Sequence, residues 1–451
     1  MQIIPALRRL WRHAPFRRLL TLRILSQAAD GTLQVGMASY ILFSPQSQAT
    51  AWAIAGVLAL TMLPFTIIGP FVAPLLDRWS RRNVALWSDV IRATLAAVIG
   101  VIIATGATTG AWAIVLYGAL LVAMSINRFM LAGLSAGLQH TVDSDEYLTA
   151  SSIVPTIGPL GVVIGAILGF AARLGLGGVL TPNQADAVVF GLAAVMFVGS
   201  VLVCRGFARD ALGPTSRPEA SSAGSVRAVA AGLAEAGRHL RTRPVAVLAL
   251  ALMAITRLLF GLLSVAVILA ARHLWNPSDQ PAAALADLTL WGLATGAGFI
   301  LAAPTVPLLT RRLGLGRTAQ LLLLSCAVVS VVTMLTTAKW PLYVLSFLIG
   351  LGVQSFKICV DTIVQAHVDE RFKGRAFTFY DMGFNGAFVL AGVVAGLLLP
   401  PHGLSAGVFA GIAVTYAACW LVLRWGVRRL GAATFEKGTE DLTGAGSPPT
   451  R

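Results

Sequence analysis

The chain has 451 residues, of which 57% are hydrophobic and 12% charged, with a formal net charge of +15 and a mean hydropathy of +0.79. A soluble domain carries about 25% charged residues, and this inventory cannot coat a surface that faces water. It excludes an ordinary soluble protein and leaves the bilayer as the fitting solvent.

Crossing the hydrocarbon takes ~20 mostly apolar residues. Behind a basic segment, 1–18, holding Arg8, Arg9, Arg12, Arg17 and Arg18, the apolar stretches 19–43, 51–76, 84–105, 112–138, 148–172 and 185–205 predict six spans. The first is too long for the apolar core of a signal peptide and lacks a small-residue cleavage site, so it reads as a retained span. A polar linker, 206–243, follows, with Pro214, Pro218, serines, glycines and several arginines. Its second part spaces Val226, Val229, Ala230, Leu233, Gly237 and Leu240 along one helical face, which predicts an amphipathic helix on the membrane surface. The stretches 244–272, 285–309, 318–337, 342–366, 375–400 and 405–425 predict six more spans, and a Gly-, Thr- and Pro-rich tail, 426–451, reads as disordered.

Arginines and lysines crowd into alternate loops and both tails, and only Arg173, Arg272 and Lys339 fall in loops on the other side. This positive-inside pattern puts both termini in the cytoplasm and accounts for the basic charge without nucleic acid. The excess of Arg over Lys points to a GC-rich bacterial genome, and hence to a multi-pass protein of the bacterial inner (plasma) membrane. Trp52, Trp112, Trp291 and Trp340 fall near span ends and read as interfacial anchors.

The two halves repeat. Gln139–His140–Thr141–Val142–Asp143 follows the fourth span and Gln365–Ala366–His367–Val368–Asp369 follows the tenth, 226 residues later. Leu75–Leu76–Asp77–Arg78 after the second span resembles Leu308–Leu309–Thr310–Arg311 after the eighth. The expected fold is therefore an all-α membrane protein of about twelve transmembrane helices in two pseudo-symmetric six-helix bundles, 19–205 and 244–425.

The chain lacks a phosphate-binding Gly-x-x-x-x-Gly-Lys-Ser/Thr loop. It also lacks metal-ligand spacing, and Cys204, Cys326, Cys359 and Cys419 stand singly in apolar stretches. No cofactor, no metal and no enzymatic activity are expected.

The segment Pro74–Leu75–Leu76–Asp77–Arg78–Trp79–Ser80–Arg81–Arg82 resembles the loop signature of the major facilitator superfamily, G-x-L-x-D-R-x-G-R-R, with Ala73 and Ser80 in place of its glycines. Asn127–Arg128–Phe129 resembles the superfamily's buried arginine motif. Gly158–Pro159, with Gly161 and Gly165, resembles the glycine–proline motif of proton-linked exporters. The stretch Gly237–Arg238–His239–Leu240–Arg241–Thr242–Arg243–Pro244 resembles the entry to the seventh helix in the branch of bacterial drug and siderophore exporters, the enterobactin exporter among them. The resemblance implies a secondary transporter whose first, fourth, seventh and tenth helices line a central cavity. It also implies a cytoplasmic gate around Asp77, Arg78, Arg81 and Arg82, to which Asp89 and Arg92, one turn apart on the third span, add a charge pair. Asp381 is placed with that gate.

Charges within spans cost ~2.5–3.5 kcal/mol or more and are usually paired or face water. Asp30, Arg128, Arg257 and Lys357 fall near mid-membrane on the first, fourth, seventh and tenth spans, one on each. Asp30 shifted by the repeat offset falls next to Arg257. These four are the expected central-cavity, substrate-contacting residues. Asp30 is the first choice for the proton-coupling acid, with Arg128 tuning it. Asp361, one turn from Lys357, is the second. A static buried ion pair is the competing reading of Asp30. Three cations against two anions hint at substrates with an anionic group. Gly158, Pro159, Gly161 and Gly165 read as a close-packing face or as a gating bend.

The expected function is a proton-coupled antiporter exporting small amphiphilic compounds such as drugs, siderophores or lipid-like molecules. Its partners are the lipid bilayer, a small-molecule substrate and protons, with a monomer the default. An importer, a lysolipid flippase of the same fold and a non-transporting sensor or scaffold are the alternatives.

Overall fold

A computed structural model describes residues 9–43, 50–67, 79–107, 109–143, 146–176, 178–213, 226–277 and 280–439. Among them every regular element is a helix: α1 (Ala14–Phe43), α2 (Ala51–Ile67), α3 (Arg81–Ala104), α4 (Ala111–Gly137), α5 (Tyr147–Leu176), α6 (Pro182–Arg205), α7 (Val226–Arg241), α8 (Pro244–His273), α9 (Pro281–Leu313), α10 (Leu315–Met334), α11 (Lys339–His367), α12 (Glu370–Leu398), α13 (Ala406–Leu430) and the short α14 (Ala432–Phe435).

Nine helices among the described residues are long and apolar enough to cross a membrane: α3, α4, α6 and α8 to α13. Three more stand where the first, second and fifth spans are expected. Of these, α1 carries Arg17, Arg18, Arg23 and Asp30, α2 is described over 17 residues, and α5 is apolar over Leu160–Leu176. The helix starts follow local chemistry. Ser80 and Ser405 accept the backbone N–H of Asn83 and Val408, and Thr181 forms a capping box with Gln184 ahead of Pro182. Ile114, Val195, Ile300 and Leu397 are more than two-thirds exposed, which in these helices is a face for lipid acyl chains rather than for water.

The chain divides into two compact units, Met1–Gln48 with Ile67–Val229, and Ala49–Thr66 with Ala230–Arg451. In the first unit α1 packs on α5 and α6, and α3 on α4 and α6. The contact of α1 with α5 is made through small residues. A Cβ on Gly161 would lie 2.8 Å from the Ile24 carbonyl oxygen, one on Gly165 would run into the Ala28 backbone, and Thr32 donates to the Gly165 carbonyl at 2.8 Å. The helix runs unbroken through residues 158 and 159.

In the second unit α8 packs on α11 and α12, α9 on α11, and α10 on α13. The sequence assigns the second span to the N-terminal bundle, but residues 49–66 group here. Ala55 and Trp52 of α2 sit where Cβ atoms on Gly392 and Gly396 of α12 would be. The linker is also divided. Phe207 and Leu212 are buried in the first unit, where the Arg81 N–H donates to the Gly213 carbonyl at 3.1 Å. The C-terminal part of α7 joins the second unit through Arg375–Glu235 at 3.1 Å and the stacking of His239 on Phe372, and Arg243, just ahead of α8, pairs with Asp369 at 2.8 Å.

The tail is a correction. Residues 426–430 complete α13, and α14 follows with Phe435 fully buried. Glu436 accepts hydrogen bonds from the Leu315 and Gly316 N–H groups at 2.7 and 3.1 Å. A carboxylate there satisfies orphan donors at the positive end of α10, and that anchor orders a stretch whose composition reads as disordered. Residues 440–451 lie outside the described residues.

Candidate functional site

The first unit buries a charge cluster at the meeting of four helices. α1 supplies Ser26 and Asp30, α3 supplies Asp89 and Arg92, α4 supplies Asn127, and α6 supplies Phe197 and Ser200. Arg92 is fully buried and Asp30 is 1% exposed. The Arg92 guanidinium pairs with Asp30, donates to Asp89 Oδ1 at 3.0 Å and to Ser26 Oγ at 3.2 Å, and lies 4.2 Å from the centre of the Phe197 ring. Asn127 Nδ2 donates to the other Asp30 oxygen. Ser26 donates to Asp89 Oδ1 at 3.0 Å, and Ser200 to Asp89 Oδ2.

One guanidinium thus serves two carboxylates in a site without water access. With both acids ionised the cluster carries one uncompensated negative charge, and a single shared proton removes it. A buried cluster tolerates an unpaired charge poorly.

Two expectations are corrected here. The cation against Asp30 is Arg92, not Arg128, which is half-buried on α4 one residue beyond Asn127. Asp89 and Arg92, assigned above to the cytoplasmic gate, are part of the Asp30 cluster instead. At ~1.5 Å per residue, Arg92 lies ~16 Å along α3 from its first residue, too deep for a surface loop. Asp77 and Arg78 lie outside the described residues. Arg81 fastens the end of α4, donating to the Ala136 carbonyl at 3.0 Å and approaching His140 Nε2 at 3.3 Å, and Arg82 donates to Asn83 at 3.1 Å.

The second unit holds a different constellation. Arg257 of α8 lies 4.2 and 4.0 Å from the ring centres of Phe384 and Phe388 on α12, and 5.5 Å from that of Phe260. Lys357 of α11 pairs with Asp361 at 2.8 Å and also approaches the rings of Tyr380 and Phe384. Asp381 is half-buried on α12, where its carbonyl accepts from Asn385 at 2.9 Å. Tyr380, Phe384 and Phe388 follow one another at intervals of four, so a helical aromatic stripe was legible in the sequence as a partner for Arg257. Ser26, Ser200 and Phe197 carried no comparable signal.

The glycines singled out on α5 all face α1. A Cβ on Gly158 would lie 3.0 Å from Arg23 Nε, and Arg23, 7% exposed, donates to Ser135 at 3.2 Å. Of Pro159 the structure fixes its place within α5.

Residues 96–434 match the model of a family described as MFS/sugar transport protein. An uncharacterized MFS-type transporter of Mycobacterium tuberculosis is 33% identical over 388 residues, 86% of each chain, and one of Mycobacterium bovis matches equally. The chain belongs to the major facilitator superfamily. As a member of that superfamily it is a multi-pass membrane transporter of small-molecule substrates. Solved structures share its fold at low identity. A peptide transporter POT in complex with sulfate has a TM-score of 0.67 at 14% identity, with 94% of this chain and 96% of that one covered. The nucleoside transporter NupG has 0.63 at 15%, with 94% and 99% covered.

Proposed function

We propose that this superfamily member is a proton-coupled antiporter that exports small amphiphilic compounds across the bacterial plasma membrane by alternating access, with Asp30 as the coupling acid. The observation that carries this reading is the ratio of charges in the buried cluster: Asp30 and Asp89 share the single guanidinium of Arg92. Such a site binds one proton when closed and gives it up when a helix shift admits water or changes the distance to Arg92. The resemblance of Gly237–Pro244 and Gly158–Pro159 to exporter motifs supports the outward direction, and the positive-inside pattern supports cytoplasmic termini. Asp361, already held by Lys357, is the second candidate for the coupling acid.

The test is reconstitution into liposomes with an internal pH dye and an imposed proton gradient. Lipophilic cations, carboxylates, catecholates and lysolipids are added to wild type and to Asp30→Asn. Substrate-dependent dissipation of the gradient by wild type, abolished in Asp30→Asn, is the expected result. Equal dissipation by both proteins overturns the role of Asp30 and leaves the cluster as a structural ion pair. Dissipation when substrate and protons move in the same direction overturns antiport.

A further inference from the structure

A cation inside a membrane-spanning bundle is costly unless paired, and among the described residues Arg257 is paired with no anion. Its contacts among the described residues are the faces of three phenyl rings. No described residue accepts a hydrogen bond from any of its nitrogens, and Nε is fully enclosed without a partner. Asp361 pairs with Lys357 at 2.8 Å.

Rings and acceptors satisfy different parts of a guanidinium. Aromatic faces stack on its plane, whereas its five N–H groups point outward in that plane and need oxygen atoms. Phe384 and Phe388, one turn apart on α12, hold the Arg257 guanidinium by their rings and offer its N–H groups no oxygen acceptor. Those N–H groups match a planar or tetrahedral oxyanion bidentately. The Tyr380 hydroxyl and the Asp361 carboxylate face each other in the same cluster. Lys357 approaches the ring of Phe384, as Arg257 does. In the first unit the comparable arginine, Arg92, has acceptors in Asp30, Asp89 and Ser26.

We propose that Arg257, held between Phe384 and Phe388, is the anchor for an anionic headgroup, a carboxylate or a phosphate, on the transported amphiphile. Lys357, paired with Asp361 and close to the Phe384 ring, supplies further N–H donors. The phenyl rings take the first methylenes or ring of the apolar body. This inference rests on the reading that small amphiphiles are the cargo, and it is independent of which acid carries the proton.

The experiment is equilibrium binding to the full chain in lipid nanodiscs, using four probes with one tail: octanoate, octyl phosphate, octyltrimethylammonium and octyl glucoside. At least one of the two anions is expected to bind at least 10-fold more tightly than the cation and the neutral glycoside. Which anion does so separates a carboxylate cargo from a phosphate one. Arg257→Gln is expected to lose that preference, Arg257→Lys to keep part of it, and Phe384→Leu to weaken anion binding several-fold with the order of probes unchanged. The thermal midpoint of each variant shows whether it is folded. Binding is read at equilibrium without a proton gradient, so a failure of the coupling assignment leaves this result standing. Equal binding of all four probes, preference for the cation, or an anion preference that survives Arg257→Gln overturns the proposal.

Discussion

Arg92 and Arg257 both sit deep within helices of a duplicated scaffold, and the two units treat them in opposite ways. Arg92 is held by two carboxylates and a serine, is fully buried, and carries too little positive charge for its surroundings. Arg257 is held by rings and makes no ion pair among the described residues. A repeat that fixes helix positions therefore leaves the chemistry of each half free. One half sets its arginine among carboxylates and the other sets its arginine among aromatic rings.

The sharpest way to break this comparison is to remove each arginine. Arg92→Met strands two carboxylates in the interior and is expected to cost about 3–5 kcal/mol, read as unfolding of the detergent-purified chain. Arg257→Met removes an unbalanced charge and keeps apolar contact with Phe384 and Phe388, so its cost is expected to be about 1 kcal/mol or less, or a gain. Equal losses would mean that Arg257 has a buried counter-ion and that the contrast is false.

Packing gives the next effect. Gly165→Leu drives side-chain atoms into the Ala28 backbone, which cannot yield, whereas Gly158→Ala meets the movable side chain of Arg23 at 3.0 Å. The first is expected to cost about 3 kcal/mol or more and the second about 1 kcal/mol, measured by thermal unfolding. A Gly165→Leu protein as stable as wild type would show that α1 and α5 separate freely.

The charge ratio in the Asp30 cluster yields a finer test. Asp89→Asn leaves one carboxylate facing one guanidinium and keeps the amide within reach of Ser26 and Ser200. Its expected cost, about 1–2 kcal/mol, lies well below that of Arg92→Met. The double variant Asp30→Asn/Asp89→Asn strands Arg92 and is expected to cost more than the sum of the single changes, a non-additivity that marks a shared site.

At the N-terminal end of α10, Glu436→Gln weakens a cap with two backbone donors and is expected to cost about 1 kcal/mol. The smallest effect belongs to Arg375 and Glu235. Both are about half exposed, so Arg375→Ala is expected to change stability by about 0.5 kcal/mol or less. A larger loss would show that α7 depends on this pair for its docking.

Particular residues show how far the sequence carried. The repeat was visible in Asp143 and Asp369, yet it runs further. His13 lies 4.0 Å from Asp143 and 2.6 Å from Glu146, and His239, at the same 226-residue offset from His13, lies 3.8 Å from Asp369. Two short motifs far apart in sequence had to be brought together before that pairing became evident. Burial of Phe435 and capping by Glu436 were hidden for a related reason. A run of Gly, Ala and Thr has no periodicity of its own, and its order comes from the N–H groups of a helix about 120 residues earlier.

The sequence by itself determined that the chain lives in a bilayer, that its helices come as a duplicated set, and that Asp30, Arg92, Arg257 and Lys357 lie within them. Apolar length and charge placement are properties of each segment alone. Only the tertiary structure decided that Arg92 rather than Arg128 faces Asp30, and that Arg257 faces rings. Position along a helix is set by ~1.5 Å per residue. Which neighbour a side chain meets depends on how its helix is rotated against the others, and side chains on four different helices fix that rotation together.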